Sequence, residues 1–328
     1  MIKTIFTLVL TVVLSPIVTA AMQPMTDEEL GIQTGQAFFQ IDRDTSGSVD
    51  FTKFTFGMDI DISMNSDLVE LGRYDRGGEA TGSSDIRIND FALGSINSDG
   101  TLNPFQITDP FFELAFEDVN GKEELIGVRL GFGSAFGKLS GNIEYLTGNI
   151  QVALYGLGRD IAPNMNCGFF DLICSGAKAL VGGAWANDQF SADAILIDTS
   201  GNPDPIRASY IGMKNGDSLS MPGSSQFTNF LVSLLTSQGC SLQSTQTCFP
   251  LSNYRTLDVG NKDTGEAASG MFISFQSKSV SWIDNGVGTT TVSGAFMNIP
   301  NGGIRTSFEE AFNGIDRIRT KFLDPYYD

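Results

Sequence analysis

The chain has 328 residues, of which 38 are acidic and 20 are basic, and it contains no histidine. Without histidine it has no Ser-His-Asp or Cys-His nucleophile, no imidazole metal ligand and no histidine pH switch. The formal net charge of −18 disfavours nucleic-acid partners and electrostatic attachment to anionic lipids. These counts exclude most familiar hydrolases, and we expect no nucleic-acid partner.

Residues 1–21 have the three-part layout of a secretory signal. Lys3 supplies a positive charge, an apolar run follows, and small residues precede the expected cleavage after Ala20 or Ala21. A retained membrane anchor is the alternative, which the short run and the acidic segment after it disfavour. No later run approaches the ~20 apolar residues of a spanning helix. We therefore expect export, with no transmembrane segment once the signal is removed.

The four cysteines form two pairs that are close in sequence, Cys167 with Cys174 and Cys240 with Cys248. Four cysteines allow three pairings, and an oxidising compartment favours the two local disulfides. A four-thiolate zinc site is the alternative. We expect disulfides instead, because the spacings are wider than those of the usual zinc knuckles.

The segment 22–37 and the N-terminal β region, 38–158, follow the signal. In the short segment, Thr26 and Glu29 have the spacing of a capping box, which predicts a helical turn from Asp27. In the β region, apolar residues alternate with polar residues or glycine over 54–64, 126–132 and, more briefly, 86–88. This period of two predicts strands with one buried face and one wet face. Turn signals separate the runs at Arg76-Gly77-Gly78, Ser98-Asp99-Gly100 and Asn120-Gly121.

The middle region, 159–252, carries all four cysteines and one amphipathic pattern. One helical face collects five apolar residues, namely Phe227, Phe230, Leu231, Leu234 and Leu235. We expect a helix that packs on the sheet, and a partner-binding helix is the alternative. We treat this region as a cysteine-bearing insert between the two β regions.

Strands return in the C-terminal β region, 253–328, at 271–275, 280–283 and 290–297. Ser307 and Glu310 form a second capping-box spacing, which predicts a terminal helix weakened by Gly314. The apolar positions of that helix are Phe308, Phe312, Ile315 and Phe322. The patterns predict a mainly β protein, a long curved antiparallel sheet or β-sandwich with a few short helices, one of them near the C-terminus.

The sharpest local motif resembles a calcium-binding loop of the helix-loop-helix type. Oxygen ligands stand at its positions one, three, five and nine, which are Asp42, Asp44, Ser46 and Asp50. Lys53 occupies the twelfth position, where the bidentate glutamate belongs, so a complete site is not expected. Weak calcium binding through these four residues is one hypothesis. The favoured alternative is a polar turn between two strands.

Two features of the sequence are typical of hydrolases, a Gly-Asp-Ser-Leu block and pairs of acidic residues. Residues 216–219 read Gly-Asp-Ser-Leu, the nucleophile block of a lipase and esterase family, but that chemistry needs a histidine base. Hydrolysis of glycans by two carboxylates needs none, yet no acidic pair stands out, and Glu123-Glu124 and Glu309-Glu310 are most simply solvated. We therefore expect a protein without enzymatic activity and without a cofactor, apart from the calcium hypothesis.

Both ends of the chain resemble a known group of exported proteins. The segment Met25-Thr-Asp-Glu-Glu-Leu30 with Thr34-Gly35-Gln36-Ala37, placed after a signal peptide, resembles the start of gamma-proteobacterial surface proteins of a Fil-type pilus system. Residues 294–300 and 313–320 also look like that group. The resemblance implies a secreted or cell-surface structural protein with other exported proteins as partners and no catalytic residues. The same leader is similar to signals that exporter peptidases of the C39 type cleave, although Gln36 replaces their second glycine.

Two functions of different classes follow from these observations. The first is a non-enzymatic exported component of a pilus-like surface system, which acts by adhesion or self-assembly through unpaired strand edges. The second is a periplasmic or outer-surface carrier that binds a lipid or another apolar ligand in a phenylalanine-lined groove. The expected location is the cell surface or the medium, and otherwise the periplasm.

Overall fold

A computed structural model describes residues 39–318, except 227, 229–231, 233, 234, 243, 285 and 286. The described residues belong to one compact unit, Phe38–Asp328. The predicted signal, the segment 22–37 with its capping box, and Phe322 lie outside the described residues. So does most of the helix predicted around residues 227–235.

The described chain is mainly β, as the alternation predicts. The first half contains ten strands, β1 Phe39–Ser46, β2 Val49–Phe56, β3 Asp59–Ile62, β4 Met64–Arg73, β5 Ser84–Leu93, β6 Ser95–Ile96, β7 Leu102–Asn103, β8 Phe105–Val119, β9 Lys122–Tyr145 and β10 Gly148–Leu157. The second half contains β11 Gln189–Ile197, β12 Tyr210–Gly212, β13 Ser241–Leu242, β14 Thr245–Gln246, β15 Cys248–Pro250, β16 Thr256–Val259, β17 Phe272–Gln276, β18 Val280–Asp284, β19 Val287–Thr291 and β20 Gly294–Ser307.

The helical elements are short. Within the described residues, three α-helices have complete bounds, namely α1 Gly158–Ile161, α2 Leu172–Ala179 and α3 Phe308–Asn313. A π-helical turn, Leu180–Ala184, continues α2, and two 3₁₀ turns lie at Ala162–Asn164 and Leu251–Asn253. The capping box predicted for the C-terminal helix is confirmed, because Ser307 Oγ accepts the amide of Glu310 (3.1 Å) and a Glu310 carboxylate oxygen accepts the amide of Ser307 (2.8 Å).

Fourteen strands form one sheet, whose main path runs β1-β2-β8-β9-β16-β20-β10-β11-β12-β15. β17 pairs with both β9 and β20, β3 pairs with β8, and the hairpin β4–β5 joins β9. The sheet is mixed, because β10 and β20 run parallel while its other strand pairs are antiparallel. The expected mainly β fold with one large sheet is therefore confirmed. The sequence pattern did not indicate that β10 and β20 run parallel.

Local signals explain several strand ends. Asn120 and Gly121, both with positive φ (58° and 80°), form the two-residue turn between β8 and β9 that their sequence predicts. The alternation over residues 54–64 extends across three strands, because β2 ends at Phe56 and β4 begins at Met64. After β2 the chain forms β3, which pairs with residues 105–108 of β8, whereas β2 pairs with residues 111–117. The single run of period two therefore includes two strands that both pair with β8.

Both predicted disulfides are present. Cys167 is bonded to Cys174 and Cys240 to Cys248, with Cα–Cα distances of 5.4 and 5.0 Å. The cysteine-bearing middle region also adds β11, β12 and β15 to the large sheet.

Among the described residues, the buried apolar side chains form two cores. The larger one lies among β5, β9, β10, β11, β16 and β20, and Ile86, Phe190 and Ile304 are among its fully buried members. The smaller one lies under the hairpin β18–β19, around Trp282 and Phe51. The smaller core covers one face of strands β2, β8, β9 and β17, so the two faces of these strands have different surroundings.

Candidate interaction surface

The exposed side of strands β1, β2, β8, β9 and β17 carries a row of apolar side chains. Residues directly opposite one another in an antiparallel pair project on the same side of a sheet. The strand registers place five residues side by side across these strands, namely Ile41, Phe54, Phe112, Leu130 and Ile273. A second row contains Leu114, Val128 and Phe275. We call this surface the outer face.

The outer face is open to solvent and rich in phenylalanine. Ile41 is 53 % exposed and Leu130 is 47 % exposed. Phe54 stacks on Phe112 with ring centroids 4.6 Å apart, and Phe39 contacts both Phe54 and Phe56 at 5.9 and 5.5 Å. Contiguous apolar surfaces of this kind on a folded protein mark sites of interaction.

At its far side the outer face adjoins an open groove of about 360 Å³. Tyr74, Leu125, Val128 and Phe275 are among its lining residues. The groove extends the apolar surface toward the β4–β5 hairpin.

Strand β1 ends the sheet and the outer face together. Within the described residues, β1 pairs with β2 alone, and seven of its eight residues are exposed. Such an edge presents backbone N–H and C=O groups to any chain that can add a strand. Asp42, Arg43 and Asp44 lie in the middle of this edge, and their charges limit which partner can pair with it.

The opposite side of the same strands, the inner face, is covered by the β18–β19 hairpin. Trp282 of this hairpin is fully buried and contacts Phe51 with ring centroids 5.5 Å apart. Gly127 and Gly131 of β9 permit this close packing. A Cβ at Gly127 would lie 3.0 Å from Trp282, and one at Gly131 would lie 2.4 Å from the Phe111 ring.

A buried ion pair lies at the centre of the inner face. Arg129 Nε donates to Glu113 Oε2 (2.6 Å), and both side chains are buried. Arg129 also donates to the carbonyl of Ile283 (3.0 Å), so it ties the sheet to the covering hairpin. Burial raises the pKa of the Glu113 carboxyl, and the Arg129 guanidinium opposes that shift. We interpret this pair as a structural element, because the covering hairpin leaves it no access to a substrate.

These faces correct the interpretation of residues 126–132. The alternation is confirmed, but the expectation that the apolar positions are the buried ones is wrong for Val128 and Leu130. The covered side carries Gly127, Arg129 and Gly131, because glycine leaves space there for the rings of Trp282 and Phe111. Trp282 lies more than 150 residues further along the chain, and no local pattern in β9 indicates its arrival.

A second buried ion pair ties the β4–β5 hairpin to the rest of the sheet. Arg207 Nε donates to Asp85 Oδ1 (3.0 Å), and the other carboxylate oxygen of Asp85 accepts the amide of Ala295 at the start of β20 (2.9 Å). Arg76 also contacts Asp85 at 3.6 Å. We likewise interpret this cluster as structural, since Arg207 and Asp85 direct their polar atoms to each other, to Ser83 and to the backbone.

The structure does not bring the four calcium candidates to one point. β1 and β2 form a hairpin through Gly47 and Ser48, so Asp42, Asp44 and Ser46 project on one side of the ribbon. Asp50 lies opposite Thr45 on the other side and accepts its hydroxyl (2.7 Å). This geometry agrees with the polar-turn alternative. No group of three or more acidic or cysteine side chains in the described part of the chain is placed to hold a metal.

The remaining candidates lie in three different elements, a turn, strand β9 and helix α3. Gly216 has a φ of +90° in a turn, and Asp217 pairs with Lys214 at 3.8 Å. Glu123 and Glu124 are exposed at the start of β9, and Glu310 caps α3. Two enclosed apolar cavities in the larger core have volumes of only about 20 Å³ each, which is less than a lipid chain requires.

Comparisons with protein families, with curated proteins and with solved structures found no match. Among the described residues, no helix is long and apolar enough to cross a membrane.

Proposed function

We propose that this chain is a non-enzymatic, exported structural or adhesive protein that assembles with other chains through strand β1 and the outer face. The proposal rests on one observation, which is that the unpaired edge of β1 and the apolar outer face adjoin each other. The first apolar row runs up to Ile41 on the exposed strand that ends the sheet. A strand added at β1 would therefore extend the backbone ladder and bury apolar surface at once.

The energetics favour this combination. Backbone hydrogen bonds alone stabilise an added strand weakly, because water competes for the same groups. Phe39, Ile41 and Phe54 next to the edge would add about 25 cal/mol for each Å² of apolar surface that they bury. The charges on β1 would restrict pairing to a partner whose strand complements Asp42, Arg43 and Asp44.

The two disulfides support an exported location, since such bonds persist in oxidising compartments. We further propose that the partners belong to the same surface system, pilus-like as the resemblance of both chain ends implies. The acidic composition would keep the chain dispersed until it meets them.

The test measures the molar mass of the purified protein against concentration, by light scattering. We expect the wild type to form larger species as concentration rises. Ile41→Asp should abolish this growth, because it places a charge on the outer face beside the edge strand. Ile96→Asp is the matched control, since Ile96 is also exposed but lies on the small sheet β6–β7.

A wild type that stays monomeric at all concentrations, and that is recovered as a free periplasmic protein from native cells, would contradict the proposal. Co-purification of a lipid that Phe275→Asp removes would instead favour the carrier alternative, with the ligand in the groove beside Tyr74.

A further inference from the structure

A disulfide-closed loop, Cys167–Cys174, carries the most exposed large apolar side chains of the described residues. Phe169 is 96 % exposed, Phe170 is 89 %, Leu172 is 87 % and Ile173 is 74 %. The rings of Phe169 and Phe170 meet edge to face with centroids 5.0 Å apart. We call these four side chains the apolar tip.

The apolar surface continues along the helix that follows the tip. The outward positions of α2 and its π-helical extension are apolar or small, among them Gly176, Ala179, Leu180 and Gly183. A surface helix of a globular protein ordinarily turns its charged side outward. In this helix the outward side lacks that charge.

Only two charged residues occur between Gly168 and Ala184, and both are engaged. Lys178 Nζ donates to the carbonyl of Met165 (2.8 Å), so its charge is directed beneath the helix. Asp171 caps α2, where its carboxylate accepts the amide of Cys174 (2.9 Å). The loop and helix are thus neutral overall, within a chain of net charge −18.

The tip is held rigidly on the protein. Cys174 is fully buried, Cys167 packs against the larger core, and Val181 is 1 % exposed. The disulfide closes the loop between the two cysteines. Because the side chains are presented by an ordered base, binding through them requires little further ordering of the chain.

We propose that the apolar tip and the outward side of α2 insert into the interfacial layer of a lipid membrane, so that the protein lies on a bilayer through this loop. The shape of the tip favours lipid over a protein partner. Each of its side chains is open on nearly all sides, as in a convex protrusion, whereas a protein-binding patch is flatter and its residues shield one another. A fluid bilayer surface adapts to such a protrusion and accepts a neutral, apolar helix face.

The net charge of the chain sets the lipid class. An acidic protein is repelled by anionic headgroups, so the insertion should depend on apolar contact with zwitterionic lipid. This attachment is separate from assembly through β1, since the loop and the outer face involve different residues.

The test is flotation of the oxidised, full-length mature protein with phosphatidylcholine vesicles. We expect the wild type to float with the vesicles, and the double substitution Phe169→Ser/Phe170→Ser to weaken this binding at least about tenfold. The double substitution Ile96→Ser/Leu102→Ser is the matched control, because both residues are exposed apolar residues of the small sheet β6–β7. It should bind vesicles as the wild type does.

A second measurement reports on the tip directly. Phe170→Trp places a fluorophore at the tip and keeps the site apolar. Its emission should shift to shorter wavelength when vesicles are added and should be quenched by lipids that carry a quencher on the acyl chain. Trp185 and Trp282 provide the background, which the parent protein measures.

Three outcomes would overturn the insertion. The first is a wild type that does not float, and the second is equal flotation of the wild type and the double variant. The third is an oligomer without lipid that Phe169→Ser/Phe170→Ser dissociates, which would make the tip a protein contact. Ile41→Asp should leave flotation unchanged, so failure of assembly and failure of insertion are distinguishable.

Discussion

Phe111 and Phe112 are neighbours in strand β8, yet they lie on the two different faces of the sheet. Phe111 is 6 % exposed on the inner face, beside Arg129 and Gly131, whereas Phe112 lies half-buried on the outer face and stacks on Phe54. Residue type does not distinguish the two faces. What distinguishes them is the β18–β19 hairpin, which covers one face and leaves the other for a partner.

The two faces also differ in the charged side chains that they carry. The inner face contains the fully buried Arg129. The central row of the outer face, with Phe54, Phe112 and Leu130, is apolar. A buried guanidinium is tolerated on the inner face because Glu113 and the Ile283 carbonyl accept from it. An uncovered apolar face of this kind is an outer surface suited to burial in an assembly.

Glu113→Ala should have the largest effect on folding stability. It leaves Arg129 buried without its carboxylate, which costs about 3–5 kcal/mol of the free energy of unfolding. The double substitution Glu113→Leu/Arg129→Met should recover much of this loss, because no unpaired charge remains. Urea denaturation followed by circular dichroism measures both. If Glu113→Ala were as stable as the wild type, the pair would not be the buried centre of the inner face.

The neighbouring residues Phe111 and Phe112 should differ in their contribution to stability, because only Phe111 is covered. Phe111→Ala should cost about 3–4 kcal/mol, because it opens a cavity over Gly131 and removes the ring that Arg129 contacts. Phe112→Ala should cost only about 1 kcal/mol, since its ring is partly in solvent already, but it should weaken assembly. Denaturation and light scattering on the same two proteins separate these effects. Equal losses of stability would show that both faces are covered in the isolated chain.

The smallest effect concerns pH at the rim of the inner face. Lys278 and Ser48 donate to Glu117, and the Lys278 contact in particular lowers the pKa of the Glu117 carboxyl below its ordinary value of 4.5. Ionised Glu117 therefore stabilises the folded state above pH 4.5, and this contribution disappears as pH falls through the lower folded pKa. Glu117→Gln should melt slightly lower than the wild type at pH 7.

The two melting temperatures should converge as the carboxyl becomes protonated in acid. Glu123→Gln is the control, because Glu123 is exposed and close in space but carries no such contact in the described structure. A constant difference between Glu117→Gln and the wild type across the pH range would exclude the ionic contribution of Glu117.

The amino-acid sequence determined by itself those features whose causes are local. Period two indicated strands, Asn120-Gly121 indicated a tight turn, and Ser307 with Glu310 indicated a capped helix. The short spacings within each cysteine pair likewise indicated the two disulfides. In each case the interacting groups lie within a few residues of one another, so the pattern contains both partners.

Only the tertiary structure decided which face of the strands is covered. The parallel pairing of β10 with β20, the arrival of Trp282 over Gly127 and the ion pair Arg207–Asp85 join residues more than a hundred positions apart. Alternation states that a strand has two different sides, but the element that packs on one of them comes from elsewhere in the chain. For that reason Leu130 and Phe112 were recognisable as surface residues only once the fold was complete.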